Sequence, residues 1–180
     1  MLLETERLVL RRFRDDDAPA LAAYRSVPEV ARYQSWDAPY PLGDALAFVA
    51  EAGHLDPERE GWFQYAVQGR DNGLLVGDVA VNRGDGGRQA EIGFTFAPAF
   101  QGRGYATEAV RRVVRFLLIE EGLHRVHASL DARNERSAKL LERVGFRREG
   151  HQIQSSWWKG EWTDDLFYAM LAREWPGSHM

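Results

Sequence analysis

The chain has 180 residues, of which 44% are apolar and 28% are charged, as is typical of one globular domain. Its formal net charge of −4 gives no electrostatic reason to expect nucleic acid as a partner, and no apolar run approaches the roughly 20 residues that a membrane span needs. The chain has no cysteine, which excludes disulfides, thiolate metal sites and cysteine nucleophiles and fits a reducing cytoplasm.

We expect a single domain over residues 1–176. The first ten residues lack a basic region followed by an apolar core, so they do not resemble an export signal. The final Gly-Ser-His-Met, residues 177–180, resembles a cloning remnant and is left out of the prediction.

The first third of the chain predicts a strand followed by two helices. Residues 7–13 predict the strand, and the aspartates at 15–17 offer a cap for a helix that runs to Arg25. Residues 43–52 predict the second helix. Its buried stripe is expected at Leu42, Ala45, Leu46 and Val49, and its end at Gly53.

Residues 27–41, between the two helices, are rich in proline and aromatic side chains. They are too many for a plain turn, so they predict a binding loop. The candidate acceptor contacts in it are Tyr33, Trp36 and Tyr40; packing in the core or at a subunit interface is the alternative.

The middle of the chain predicts an antiparallel meander. Residues 62–68, 74–82 and 91–97 have strand patterns and are separated by glycine-rich turns. Gly77 inside the second of these strands predicts a bulge.

After the third meander strand the period of the apolar residues changes from two to that of a helix. Apolar residues recur from Ala106 onwards at helical spacing, and Gly122 is placed to end the helix. Gly102 and Gly104 precede it, so the backbone can approach a ligand with its amide groups exposed. Those amides and the positive end of the helix dipole predict a site for a phosphate or diphosphate.

The last third predicts a strand, a short helix and a closing hairpin. The strand at residues 125–131 follows a strand and a helix, which predicts a locally parallel pair. Asn134 is a cap for a helix to Val144, and Gly145 suits its left-handed end. The hairpin strands are predicted at residues 146–155 and 163–172.

This order of elements, together with Gln101, Gly104 and Ala106 in a Gln-x-x-Gly-x-Ala pattern, resembles the GCN5-related N-acetyltransferase (GNAT) family over nearly the whole chain. The opening Thr-Glu-Arg-Leu-Val-Leu-Arg at residues 5–11 resembles the branch that contains ribosomal-protein N-terminal acetyltransferases. The same branch is indicated by Ala90–Phe94, Gly104–Ala109, Asn134–Ser137 and Gly145–Phe146 with Glu149–Gly150.

The resemblance implies a GNAT fold, an α/β (α+β) arrangement with a mixed, mostly antiparallel sheet that splays between two central strands and is flanked by helices. It also implies acetyl-CoA as co-substrate, bound where those strands separate. By resemblance, the pantetheine arm contacts the backbone at Phe94, Thr95 and Phe96 and the side chain of Asn134. The diphosphate contacts Gln101, Gly102, Arg103, Gly104, Tyr105, Ala106 and Thr107.

Acetyl transfer from a thioester to an amine needs a neutral amine and a proton for the leaving thiolate. Glu91 begins the cofactor strand and matches an acidic position that the family often uses as base; a cross-strand ion pair is the alternative. Ser137 matches a serine that this branch uses to protonate the thiolate; the alternative is a small residue that permits close helix packing. Arg103 is either a phosphate contact or a solvated side chain.

Three further interpretations concern other ligands and partners. His124 and His127 have no evident third ligand, so no metal is expected. A dinucleotide-binding unit would explain Gly102 and Gly104, but Thr107 replaces its third glycine. A non-catalytic acyl-CoA-binding module is the remaining alternative.

The acceptor is predicted to be a primary amine, either a protein N-terminus or a small molecule. The fold alone does not choose between them, because one scaffold supports many acceptors. The aromatic closing hairpin is compatible with a homodimer.

Overall fold

The computed structural model describes residues 2–176, and the expected cloning remnant at 177–180 lies outside them. One eight-stranded sheet has the order β1-β2-β3-β4-β5-β6-β8-β7. The strands are β1 (Leu3–Glu4), β2 (Leu8–Arg11), β3 (Gly61–Gly69), β4 (Leu75–Gly84), β5 (Gln89–Phe96), β6 (Arg125–Asp131), β7 (Arg147–Trp158) and β8 (Glu161–Leu171). The helices are α1 (Ala18–Arg25), α2 (Pro28–Ala31), α3 (Leu42–His54), α4 (Tyr105–Arg115) and α5 (Glu135–Val144).

Helices cover the sheet on both faces, and the layers follow from the alternation of the strands. The apolar faces of α4 and α5 share one buried cluster with Ala90 and Ile92 of β5 and Val126 of β6. On the other face, α1 and α3 pack over Ala66 of β3. Every neighbouring pair of strands is antiparallel except β5 and β6, so the predicted parallel pair is confirmed.

The predicted bulge at Gly77 is confirmed. Val67 of β3 pairs with Gly77, and Gln68 pairs with Leu75, so Val76 is an extra residue in β4. A Cβ on Gly77 would lie 2.4 Å from the carbonyl oxygen of Thr95. Glycine at this position therefore allows β4 and the end of β5 to approach closely.

Both ends of α5 form as predicted. The Asn134 carboxamide oxygen accepts a hydrogen bond from the Ser137 amide at 3.2 Å. Gly145 is left-handed with φ +115°, and the amide of Phe146 donates to the carbonyl of Leu141 at 3.0 Å, as in a Schellman end. Ser137 is thereby fixed in the first turn of the helix.

The N-terminal half differs from the prediction in three places. The first predicted strand is shorter, Leu8–Arg11, and it pairs with β1, which the sequence pattern missed because it has only two residues. The predicted loop at 27–41 contains the single turn α2. Such short elements depend on tertiary partners and leave little periodicity to read.

The prediction for α3 was wrong at its end and along its stripe. The helix continues past Gly53 to His54. A Cβ on Gly53 would lie 3.1 Å from the carbonyl oxygen of Phe13, so this glycine permits close packing and does not end the helix. Leu42 and Leu46 are about half exposed, at 51% and 47%.

Glu149 links β7 to β6 across the intervening strand β8. It is the extra residue of a bulge in β7, between Arg148 and Gly150. Its carboxylate contacts Arg125 at 2.5 Å and Arg147 at 2.6 Å. Hydrogen bonds from Arg125, and then those from Arg147, lower the pKa of Glu149 from 4.5 to about 2.

We predict that Glu149→Gln lowers the free energy of unfolding at pH 7 by roughly 1 kcal/mol, since the ion pairs are partly solvated. Because the folded state lowers the pKa of this carboxyl, its contribution is complete above about pH 5 and is lost as pH falls through 4.5 toward about 2. Urea unfolding from pH 3 to pH 7 measures this. A wild-type minus variant difference that stays constant over the range would contradict the prediction.

Candidate functional site

The candidate site lies where β5 and β6 separate. The two strands pair at only three positions, Gln89 with Arg125, Ala90 with Val126 and Glu91 with His127. Beyond Glu91, β5 remains paired with β4 but has no pairing with β6. The backbone of the second half of β5 is therefore left with one open edge toward a gap inside the sheet, which is suited to a ligand that pairs with a strand.

Glu91 lies at the vertex of this gap. The Ser129 hydroxyl of β6 donates a hydrogen bond to the Glu91 carboxylate at 3.1 Å. Asn82 is its neighbour on β4 and His127 its neighbour on β6. Glu91, Asn82 and His127 are among the residues that line a cavity of about 120 Å³, which has room for water beside the carboxylate.

The glycine-bearing loop lies between the end of β5 and the start of α4. Gly102 and Gly104 have φ of +73° and +80°, in the left-handed region that favours glycine. Residues 101–104 are exposed, and a Cβ on Gly102 would meet no atom within 4 Å. The first amides of α4 have no intrahelical acceptor, so the loop and helix present donors that fit a diphosphate.

The N-terminal residues Thr5 and Arg7 hold this loop in place through Glu108 of α4. The Thr5 hydroxyl and the Arg7 guanidinium donate to the Glu108 carboxylate at 2.5 and 2.7 Å. Arg7 also donates to the carbonyl of Arg103 at 2.9 Å. Partial burial raises the pKa of Glu108, but the hydrogen bonds from Thr5 and Arg7 outweigh it and leave the pKa below its usual value.

Two arginines of α5 contact the loop region, and the sequence prediction did not include them. Arg136 donates to the side chain of Gln101 at 3.2 Å, and Arg143 donates to the hydroxyl of Thr107 at 3.2 Å. Gln101 in turn donates to the carbonyl of Phe96, the last residue of β5, at 2.8 Å. The spacing of seven residues between the arginines, which puts them on one helix face, was the available signal.

Asn134 and Ser137, the predicted cofactor contact and acid, follow β6 in the chain and lie at the start of α5. The Asn134 oxygen is engaged as the helix cap, which leaves its amide nitrogen as the group that can donate to a ligand. Ser137 is half-buried in the first turn of α5. Tyr105 of α4 packs against Phe100 and under Arg7, so packing accounts for its ring.

The three predicted acceptor residues have different surroundings. The Tyr33 hydroxyl donates to the carbonyl of Arg133 just beyond β6. Trp36 and Tyr40 instead enclose the buried guanidinium of Arg25, at 4.1 and 5.1 Å from their ring centres. Packing around a cation therefore accounts for Trp36 and Tyr40.

A buried polar network beside the cofactor strand was also missed. Asp78 of β4 pairs in register with Thr95 and accepts hydrogen bonds from Tyr24 of α1 and from Gln64 at 2.6 Å. Burial raises the pKa of Asp78, while Arg25 and these donors oppose the rise. The network fixes α1 to the sheet, and no periodic pattern could have revealed it.

Two classes of site find no support in the part of the chain that the structure describes. Over residues 2–176 no group of three or more His, Cys, Asp or Glu is arranged to hold a metal ion. None of the helices in the same range has the length and apolar content to span a bilayer.

Comparisons with known proteins agree with the fold. A family model for the acetyltransferase (GNAT) domain matches residues 7–147. YnaD, an N-acetyltransferase of Bacillus subtilis, is 31% identical over 175 residues, which are 97% of this chain and 99% of the relative. The ribosomal protein uS5 alanine N-acetyltransferase of Escherichia coli is 27% identical over 187 aligned positions, covering 97% of this chain and 93% of the relative.

Among solved structures, a GNAT-family acetyltransferase from Bacillus anthracis superposes with a TM-score of 0.87 at 29% identity, covering 97% of this chain and 100% of that chain. The chain belongs to the GNAT acetyltransferase family. It is an acetyl-CoA-dependent N-acetyltransferase, and the predicted fold and co-substrate are confirmed. The dinucleotide-binding alternative is excluded by this membership and by the mostly antiparallel sheet.

We predict that Gly77→Ala both destabilises the protein and weakens acetyl-CoA binding. The added Cβ would overlap the Thr95 carbonyl and the Phe96 ring, so the end of β5 must shift. Overpacking of this kind costs about 1–3 kcal/mol. Thermal unfolding and calorimetric titration with acetyl-CoA measure the two effects.

Gly43→Ala is the matched control. A Cβ on Gly43 meets no atom within 4 Å, and the residue lies in α3, where alanine is favoured over glycine. This variant should be as stable as the wild type or slightly more so, with unchanged acetyl-CoA affinity. Equal effects of the two substitutions would refute the close-approach explanation.

Proposed function

We propose that the protein transfers an acetyl group by direct attack of a primary amine, with Glu91 as the general base and Ser137 as the acid. The observation that supports this most is the position of the Glu91 carboxylate at the vertex of the β5–β6 gap, oriented by Ser129. A base at this position lies beside the gap in which the thioester of acetyl-CoA and the acceptor amine are proposed to meet.

Acetyl-CoA supplies a thioester carbonyl that an amine can attack and a thiolate that can leave. We assign its diphosphate to the amides of residues 101–107, with Arg103 as an added charge contact. The pantetheine arm is assigned to the open backbone edge at Phe94, Thr95 and Phe96 and to the Asn134 amide. The open space at Gly102 and the arginines of α5 support this assignment.

The role of the base depends on the acceptor. An α-amino group with a pKa near 8 is about one-tenth neutral at pH 7, whereas a lysine amine is neutral in only about one molecule in a few thousand. Glu91 removes the amine proton directly or through a water in the adjacent cavity. Ser137 then donates a proton to the departing sulfur from the first turn of α5.

The acceptor is either a protein N-terminus or a small amine. Similarity to the uS5 alanine acetyltransferase favours a protein N-terminus. A cytoplasmic location is proposed with it, in line with a chain that has no cysteine. Association of two copies through the β7–β8 hairpin stays a prediction; Trp157 and Trp162 are exposed there.

We predict that Glu91→Gln lowers kcat/KM about 100-fold at pH 7, the lower range for loss of a general base. The deficit should shrink as pH rises toward 9, because the amine is then already neutral without the base. Release of free CoA, followed across a panel of N-terminal peptides and small amines, measures this. A full rate with an unchanged pH profile would remove Glu91 from the mechanism.

We predict that Ser137→Ala lowers kcat about tenfold or more with nearly unchanged acetyl-CoA affinity, since the hydroxyl acts on the leaving group and not on binding. Single-turnover kinetics and calorimetry separate the two. Ser129→Ala is the companion variant, because it removes a hydroxyl that contacts Glu91 and is not assigned to the leaving group. A large loss of acetyl-CoA binding in Ser137→Ala would favour a packing role for this serine.

A further inference from the structure

A second cavity lies beyond the C-terminal end of β6. Its volume is about 350 Å³. It is bounded by α2, by the turn between β7 and β8 and by Arg133, which lies two residues after β6. The lining residues are Pro28, Glu29, Arg32, Arg133, Trp158, Lys159 and Glu161. Nothing in the cofactor assignment uses it.

Most charged groups around this cavity are already paired. Arg133 contacts Asp131 and Glu161, each at 2.7 Å. The Lys159 ammonium donates to the carbonyls of Ala31 and Trp36, which joins the β7–β8 turn to the α2 region. These contacts build the walls of the cavity and leave few polar groups for a ligand.

Two donors remain for a ligand. The exposed guanidinium of Arg32 forms no ion pair with any carboxylate in residues 2–176, and the buried indole nitrogen of Trp158 has no hydrogen-bond acceptor in the same range. A buried N–H without an acceptor is costly, so a ligand oxygen at this place would be favourable. Guanidinium and indole donors together fit an oxyanion.

We infer that this cavity binds a carboxylate of the acceptor through Arg32 and Trp158. The inference rests on the proposed function, in which the acceptor amine lies at Glu91. Ser129, which contacts Glu91, precedes Asp131 on β6 by two residues, or about 7 Å, and Arg133 lies two residues beyond Asp131. The cavity therefore lies roughly 10 Å from the base, a span that about three residues of extended peptide cover.

Two sources supply this chemistry: an acidic side chain at the third residue of a protein N-terminus, or the carboxylate of a small amino acid with a long spacer. Glu29, exposed on the rim, opposes either one. Removal of the Glu29 charge should therefore lower the KM of a carboxylate acceptor, whereas removal of Arg32 should raise it.

The test compares acceptors that differ only in charge. Ala-Ala-Glu and Ala-Ala-Gln peptides, both amidated at the C-terminus, form one pair; 6-aminohexanoate and its amide form the other. One pair represents a protein N-terminus and the other a small amino acid. In the pair that represents the natural acceptor, the compound with the carboxylate should have a lower KM than its neutral counterpart. Arg32→Ala should raise that KM about tenfold, with kcat and the neutral member little changed. Glu29→Gln should lower it a few-fold.

Two further variants sharpen the result. Trp158→Phe keeps the ring but removes the N–H donor, so it should also raise the KM of the carboxylate acceptor. Arg59→Ala is the matched control, because its side chain is 84% exposed and it lies before β3, outside the cavity lining. It should leave all four acceptors unchanged.

The outcomes separate this inference from the proposed function. If acetyl transfer occurs but neither pair shows a charge preference, or if Arg32→Ala affects both members equally, the carboxylate site is refuted and the acetyltransferase assignment stands. If no acceptor releases CoA, the proposed function fails. Calorimetric binding of N-acetyl-Ala-Ala-Glu-amide, lost in Arg32→Ala but kept in Arg59→Ala, would still support the cavity.

Discussion

The short parallel contact between β5 and β6 is the constraint on which the site depends. Backbone hydrogen-bonding groups in a sheet must be paired or reach another partner, and here the pairing stops at Glu91 and His127. Everything beyond that point on β5 keeps one open edge. Because β6 separates from β5 at this point, the candidate base Glu91 lies at the vertex of the gap and the open backbone of β5 lies next to it. The first turn of α4 lies beyond the end of β5.

The elements around the gap are held in place by contacts between residues that are distant in sequence. Thr5 and Arg7 reach Glu108, about 100 residues away, and Arg7 also contacts the loop carbonyl of Arg103. On the other face, the buried Asp78 joins α1 to the strand next to β5. The loop geometry therefore depends on the first strands of the chain as well as on its own glycines.

The two sides of the gap differ in charge and in the ligand that we propose for each. Arginines of α5 contact the glycine-bearing loop, where an anionic diphosphate is assigned. The side proposed for the acceptor has the Glu91 carboxylate at its inner end and the cavity lined by Arg32 and Trp158 at its outer end. There Lys159, in the β7–β8 turn, donates to the carbonyl of Ala31 at the end of α2. An acceptor with an amine at one end and an oxyanion at the other matches this arrangement.

The sequence by itself determined the elements with strong periodicity and local chemistry: the meander, α4 with the glycines that precede it, and the capped α5 with its left-handed Gly145. It also determined the family, because the motif blocks are local. Only the tertiary structure decided that Gly53 packs on Phe13 and does not end α3, that Trp36 and Tyr40 surround Arg25, and that Arg136 and Arg143 contact the loop. These contacts join residues that are far apart in the chain. A pattern of residue types along the chain does not contain the information about which distant residues come into contact in space.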